Sequence, residues 1–239
     1  MAIMRDHDVG SVAEDKRARR LVVAIDGPAG VGKSTVAKLL ASRLSYLYLD
    51  TGALYRATAW AVIESGRDPA DAEAVTTLLP TLSLHMQFHQ ETVAVLVNGR
   101  DVSSELRTPA VSAAASVVSA IPAVRAWLLP IQRQIGQGGG VVAEGRDMGT
   151  KVFPSAEVKF FLEADPTVRA QRRHRELVAA GHSGALEETS ADLTSRDTRD
   201  RSRSVAPLVP AEDARCIDTS NVSAASVVDQ MMAVIATKL

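Results

Sequence analysis

The sequence predicts an α/β protein: a parallel β-sheet covered by helices on both faces, interrupted once by a small antiparallel insert. Three observations predict it. Short apolar runs alternate with helical patterns along most of the 239 residues; a glycine-rich loop joins the first run to the first helix; and the stretch 66–139 breaks the alternation with hairpin signals.

In chain order, Leu21–Ile25 is apolar without alternation, as a strand buried on both faces must be. Lys33–Leu44 reads as a helix, Tyr46–Leu49 as the second strand and Leu54–Ser65 as the second helix. Within the interruption, Leu82–Phe88 and Val93–Val97 read as strands, and Asn98-Gly99 marks a tight hairpin before Arg100–Val102. Ala110–Ala120 is a small-residue helix, and Pro122 restarts a helix that runs to Gln134. The run Gln137-Gly138-Gly139-Gly140 returns the chain to the sheet. Strands at Gly140–Ala143, Val158–Leu162 and Arg215–Ile217 then bracket a helix at Pro166–Ala179. The last helix, Ala224–Thr237, gathers Val227, Val228, Met231 and Ile235 on one stripe that docks on a core.

Composition narrows the function. Lys and Arg number 27 against 28 Asp and Glu, a net charge of −1, which argues against a partner held by bulk attraction, whether nucleic acid polymer or anionic membrane. An anion site must therefore be built locally. Cys216 is the only cysteine, so an intrachain disulfide is excluded; it reads as a small apolar core residue at a strand end. No apolar run approaches the roughly 18 residues of a membrane helix. Met1 to Arg20 carries scattered charges and no apolar segment of the export type; it reads as a tail, with a short helix at Val12–Arg19. A cytoplasmic location is the expectation.

The loop Gly27-Pro28-Ala29-Gly30-Val31-Gly32-Lys33-Ser34, followed by Thr35, fits G-x-x-x-x-G-K-[ST] and stands between a strand and a helix, where the motif has meaning. Glycines let the backbone turn N–H groups inward onto phosphate oxygens, and the helix N-terminus adds partial positive charge. Lys33 would reach the β- and γ-phosphates of ATP, and the Ser34 hydroxyl would ligate Mg²⁺. Asp26 could act at the loop or pin a turn. The N-K-x-D segment of guanine-specific switches has no counterpart: Asn98-Gly99-Arg100-Asp101 lacks the lysine and lies in a hairpin.

A kinase also needs a second anion site facing the first. Arg56 lies on the first turns of the helix after Asp50-Thr51-Gly52, and Arg146 and Asp147 follow the third parallel strand; both places are strand tips, where open α/β sheets bind ligands. Arg169, Arg172 and Arg173 share a helix face by spacing, as do Arg196, Arg199, Asp200 and Arg203, with Arg201 pointing elsewhere. Flanking the glycines at 181 and 184, these two arginine faces suggest a closing lid.

On these segments the chain resembles bacterial cytidylate kinases, from about Leu21 onward. The matching stretches are Ile25–Pro28 into the phosphate loop, Asp50-Thr51-Gly52-Ala53-Leu54-Tyr55-Arg56, Gly145-Arg146-Asp147-Met148-Gly149-Thr150, and Arg199-Asp200-Arg201 leading to Ala206-Pro207-Leu208. The resemblance implies a P-loop NTPase fold with a five-stranded parallel sheet, an NMP-binding insert and an arginine-rich lid at about 172–200. The domains would be a tail (1–20), a core (21–65 and 140–239) and the insert (66–139). It further implies that Arg56, Arg146 and Arg203 hold the acceptor phosphate and that Ser116, Arg125 and Asp147 read the base. Arg196 and Asp200 would contact the ribose, and Arg172 and Arg173 would serve transfer from the lid. The implied substrates are ATP and CMP or dCMP, and the implied oligomeric state is a monomer. Thr51 stands where the family often has serine; it keeps a hydroxyl toward the substrate. From the residues alone, another acceptor (UMP or a small metabolite such as shikimate) and a non-catalytic nucleotide switch remain open.

Overall fold

In the computed structural model, which describes residues 20–88 and 93–239, the five apolar runs pair in parallel. They are β1 (Val22–Asp26), β2 (Leu47–Asp50), β6 (Val141–Gly145), β7 (Val158–Glu163) and β8 (Arg215–Asp218), in the order β2-β6-β1-β7-β8. A separate antiparallel sheet, in the order β3-β4-β5, comprises β3 (Leu84–Phe88), β4 (Val93–Val97) and β5 (Arg100–Asp101). The Asn98-Gly99 turn has φ of 50° and 82° at its two residues, the left-handed pair that a two-residue hairpin requires.

The helices are α1 (Lys33–Leu44), α2 (Thr51–Glu64), α3 (Ala72–Leu78), α4 (Pro109–Val118), α5 (Pro122–Gly136), α6 (Pro166–Ala179), α7 (Leu186–Ser202) and α8 (Ala224–Ile235). α2 begins earlier than the apolar pattern suggests, because Asp50 caps it, accepting from the Ala53 amide at 3.2 Å. α3 was not anticipated; its start is set by Asp71, whose carboxylate accepts from the Glu73 and Ala74 amides. The expected helix at Val12–Arg19 lies outside the described residues.

One face of the sheet buries Val23, Ile25 and Phe160 against α1 and the stripe Val227, Val228, Met231 and Ile235 of α8. The opposite face buries Ala24, Leu49, Val141 and Ala143 with Met148 and Phe153. A separate core is centred on α2 and shared with α4, α5 and the antiparallel sheet, including Leu54, Trp60, Leu84, Val97, Val118 and Leu128. Cys216 is exposed, a correction to the expected core position. β8 is the sheet's edge strand, and of its residues only Ile217 turns inward. No single helix among the described residues is long and apolar enough to cross a membrane.

Candidate active site

Register brings the chemistry to one edge. β1 and β6 align Asp26 with Gly145, and β2 and β6 align Asp50 with Glu144, so the loops after three neighbouring strands leave the sheet side by side. Above them lies a cleft of about 690 Å³.

The phosphate loop forms one wall. Gly27 has φ of 147°, and a Cβ there would sit 2.3 Å from the Leu162 carbonyl oxygen, so only glycine lets β1 turn so close to β7. Behind the loop, the Thr219 hydroxyl donates to the Val31 carbonyl at 2.9 Å and Arg169 Nη1 to the Ala29 carbonyl at 3.2 Å. Lys33 is buried, with Nζ donating to the Pro28 carbonyl at 2.6 Å. Burial, reinforced by the charge of Arg146, pulls its ammonium down to about 7 against the pull of Glu144 and Asp26. A polyphosphate at that spot would reverse the shift.

The opposite wall is rich in guanidinium groups. Arg56 Nη2 donates to Asp50 at 2.7 Å, and Arg107 stands 3.7 Å from the same carboxylate. Although burial opposes its ionisation, these two arginines hold Asp50 below the usual carboxylate range. Arg146 Nε donates to Asp200 at 2.9 Å, and Arg203 lies 3.6 Å from the other oxygen of Asp200. Again burial works against the charge, and Arg146 and Arg203 keep the Asp200 carboxyl low. Arg56 Nε and Arg203 Nη2 are buried donors with no acceptor among the described residues. Leaving such atoms unpaired is unfavourable, and an anion in the cleft would supply acceptors for them.

At the cleft's far end, Arg125 is buried between partners: Nη2 donates to Asp147, Nη1 to the Ser119 carbonyl at 3.2 Å, and its guanidinium lies 5.5 Å from the Tyr55 ring centre. Ser116 lines the same end. Thr51 is buried and donates to the Glu144 carbonyl at 2.6 Å, tying the second strand tip to the third.

The cleft thus gathers Ala29, Gly30, Gly32, Lys33, Ser34 and Thr35 with Thr51, Arg56, Ser116, Arg125, Arg146, Asp147, Arg173, Arg196, Asp200 and Arg203. Spacing put Arg169, Arg172 and Arg173 on one face, yet their side chains part. Arg169 is buried against Asp197 at 2.6 Å; Arg172 donates to the carbonyls of Thr219 (2.6 Å) and Ser220 (3.3 Å), away from the cleft lining; Arg173 reaches the cleft. Asp26, next to the phosphate loop and near enough to Lys33 to favour its charge, spends its hydrogen bonds elsewhere. It accepts from the amides of Met148 and Gly149, both at 2.8 Å, and so fixes the turn after Arg146 and Asp147.

Arg107 is among the cleft residues that sequence reasoning missed. Arg107 sits just before the Thr108 cap of α4, on a stretch that read as a loop. Glu144, which the sequence places just past the third parallel strand, lies within the end of β6 in the structure; it is buried at the cleft floor, accepts from the Tyr48 hydroxyl, and lies beside Ser34, and burial, then the charge of Asp50, pushes its carboxyl up. A carboxylate closing an apolar strand was the available signal.

The cytidylate kinase family model matches residues 23–237. The chain is 47% identical over 212 residues to the cytidylate kinase of Pelotomaculum thermopropionicum, covering 88% of this chain and 94% of that one. To the cytidylate kinase of Syntrophotalea carbinolica it is 47% identical over 218 residues, 91% and 93% of the two chains. It is also 47% identical over 221 residues to the bifunctional pantoate ligase/cytidylate kinase of Synechococcus elongatus; the match takes in 90% of this chain but only 42% of that longer protein. Among solved structures, an uncharacterized protein from Eubacterium ventriosum shares the fold, with a TM-score of 0.52 at 12% identity over 92% of this chain and 99% of that one.

Proposed function

Because the chain belongs to the cytidylate kinase family, we propose that it transfers the γ-phosphoryl group of ATP to CMP, and to dCMP, giving CDP or dCDP and ADP. The observation that carries this is the meeting of Arg56, Arg146 and Arg203 with Lys33 across one cleft, two of those arginines holding buried donors with no acceptor among the described residues.

In the proposed reaction the phosphate loop and Lys33 hold the donor phosphates while Arg56, Arg146 and Arg203 aim the acceptor phosphate in line. An acceptor phosphate oxygen bonds the γ-phosphorus as the bond to the bridging oxygen breaks, and the electron pair leaves with ADP. The acceptor phosphate is largely dianionic near neutral pH, with a second pKa of about 6, so it attacks without a dedicated base. Ser116, Arg125 and Asp147 read the base edge, a hydroxyl, guanidinium and carboxylate set suited to cytosine's mix of donor and acceptors. Arg196 and Asp200 lie where the ribose is held. Arg173 serves transfer from the lid; Arg172 joins it only by exchanging its bonds to Thr219 and Ser220.

The oxygen donors at the cleft floor suit Mg²⁺: the Ser34 hydroxyl, beside Glu144, would hold it together with the phosphates. When bound, it would neutralise the charge of the donor phosphates. In the same proposal residues 21–65 and 140–239 are the core, 66–139 the acceptor insert and about 172–200 the lid. The protein works as a cytoplasmic monomer.

An acceptor panel in a coupled ADP-release assay tests the function. CMP and dCMP should raise ADP release far above UMP, AMP or shikimate; release that does not rise with CMP refutes it.

A further inference from the structure

Ser116 stands between two compartments. It lines the cleft, and it also lines a shallower outer groove of about 350 Å³ between the end of α2, α4 and α7, to which Ile63, Ala113, Asp192 and Arg199 contribute. From the groove side, Arg199 Nη1 of α7 donates a hydrogen bond to Ser116 Oγ, while its Nη2 reaches Ser195 Oγ at 3.3 Å. The acidic neighbour in the groove, Asp192, pairs with Arg196 at 4.0 Å instead. Among the described residues Arg199 has no carboxylate partner; its guanidinium is engaged by two serine hydroxyls.

A buried helical hydroxyl commonly returns its hydrogen to the carbonyl four residues back, as Thr58 does to Leu54 at 2.9 Å. Ser116 makes no such bond among the described residues; Arg199 is its partner. A free serine hydroxyl can donate or accept, and so discriminates poorly between a ligand's N–H and a bare ring nitrogen. A guanidinium can only donate. It occupies a lone pair on Ser116 Oγ and leaves the hydroxyl hydrogen to find its acceptor elsewhere, on the cleft side.

We infer that Arg199 is a positioning residue for base selection: by donating to Ser116 Oγ from behind, it turns that hydroxyl into a fixed donor facing the cleft. The inference rests on the proposed function and deepens it. A fixed donor matches cytosine, whose N3 and O2 both accept, and disfavours a ring whose N3 carries hydrogen. Because Arg199 rides on α7, the same bond makes base selection depend on the seating of the lid helix.

A double-mutant cycle on kcat/KM tests this, using Arg199→Met, Ser116→Ala and the pair, with CMP and UMP as acceptors. Each single change should lower kcat/KM for CMP about tenfold, mainly through KM, and narrow the CMP-over-UMP ratio, while the double variant falls no further than Ser116→Ala. Arg199→Gln, which keeps a donor amide, should recover part of the loss; it also replaces Met in the cycle if that variant does not fold by circular dichroism. A purely structural arginine would lower activity equally with and without the Ser116 hydroxyl. A wild type active on CMP whose two losses multiply overturns this inference alone. A wild type inactive on CMP overturns the proposed function and this inference with it.

Discussion

Replacing Asp26 with asparagine should make the protein more stable at pH 8 and a poorer catalyst at the same time. Asp26 is 4% exposed and accepts from the Met148 and Gly149 amides. Burial nonetheless raises its carboxyl from 3.8 to about 6, because two amide bonds do not replace full hydration of a charge. Below pH 3.8 the carboxyl is protonated in both folded and unfolded chains. As pH rises through about 6, the folded protein must ionise a group that the unfolded chain ionised earlier, so stability falls. The gap corresponds to about 3 kcal/mol by pH 8, roughly half of it above pH 5. Asparagine escapes this loss but turns an N–H toward one of the two amides, which costs about 1–2 kcal/mol. The net gain at pH 8 is about 1–2 kcal/mol; it falls to about zero near pH 5 and turns into a loss toward pH 4, where the native carboxyl is neutral too. The turn held by Asp26 directly follows Arg146 and Asp147, so a weaker hold should lower kcat/KM for CMP about tenfold. Urea unfolding of both proteins at pH 5 and pH 8, with kinetics at pH 8, reads both effects. A variant whose stability relative to wild type is flat or falls between pH 5 and pH 8 refutes the reasoning.

Three further outcomes follow from the site. With the Lys33 ammonium at about 7, ATP binding at pH 8 should take up nearly one proton, seen calorimetrically in buffers of different ionisation heat and absent in Lys33→Met, which should also lose at least 100-fold in kcat. Arg125→Ala should chiefly blur base choice; an unchanged ratio of CMP to AMP and GMP turnover would count against its assignment, although losing the Asp147 partner leaves that carboxylate buried. Gly27→Ala should cost several kcal/mol, about 3 or more, and be seen as a large fall in thermal midpoint, because its Cβ meets the backbone of β7; a midpoint within a few degrees of wild type would contradict the close approach.

The parallel sheet was legible because each strand is a short apolar run with turn residues on either side, and the stripe on α8 and the Asn98-Gly99 hairpin were equally local signals. Strand tips likewise placed Arg56 and Arg146, since the edge of an α/β sheet follows from strand direction alone. What resisted was anything decided by a distant partner. Spacing gives Arg169, Arg172 and Arg173 a common face, but Asp197 draws the first inward and the Thr219 and Ser220 carbonyls draw the second aside. Nothing within a few residues of Asp26 says that it will hold Met148, 122 positions away. Glu144 stands at a strand tip by its position after an apolar run, but its partner Tyr48 lies 96 positions away on β2, so its surroundings were not legible.

The sharing of α2 between two duties has a consequence for variants far from the chemistry. Its first turns present Arg56 to the cleft, while its body is the ridge on which α4, α5 and the small antiparallel sheet are built. A cavity carved beneath Trp60 or Val97 therefore tips a beam whose other end carries the arginine proposed to grip the acceptor phosphate, and weakened acceptor binding is the expected first symptom of damage that leaves every contacting side chain in place.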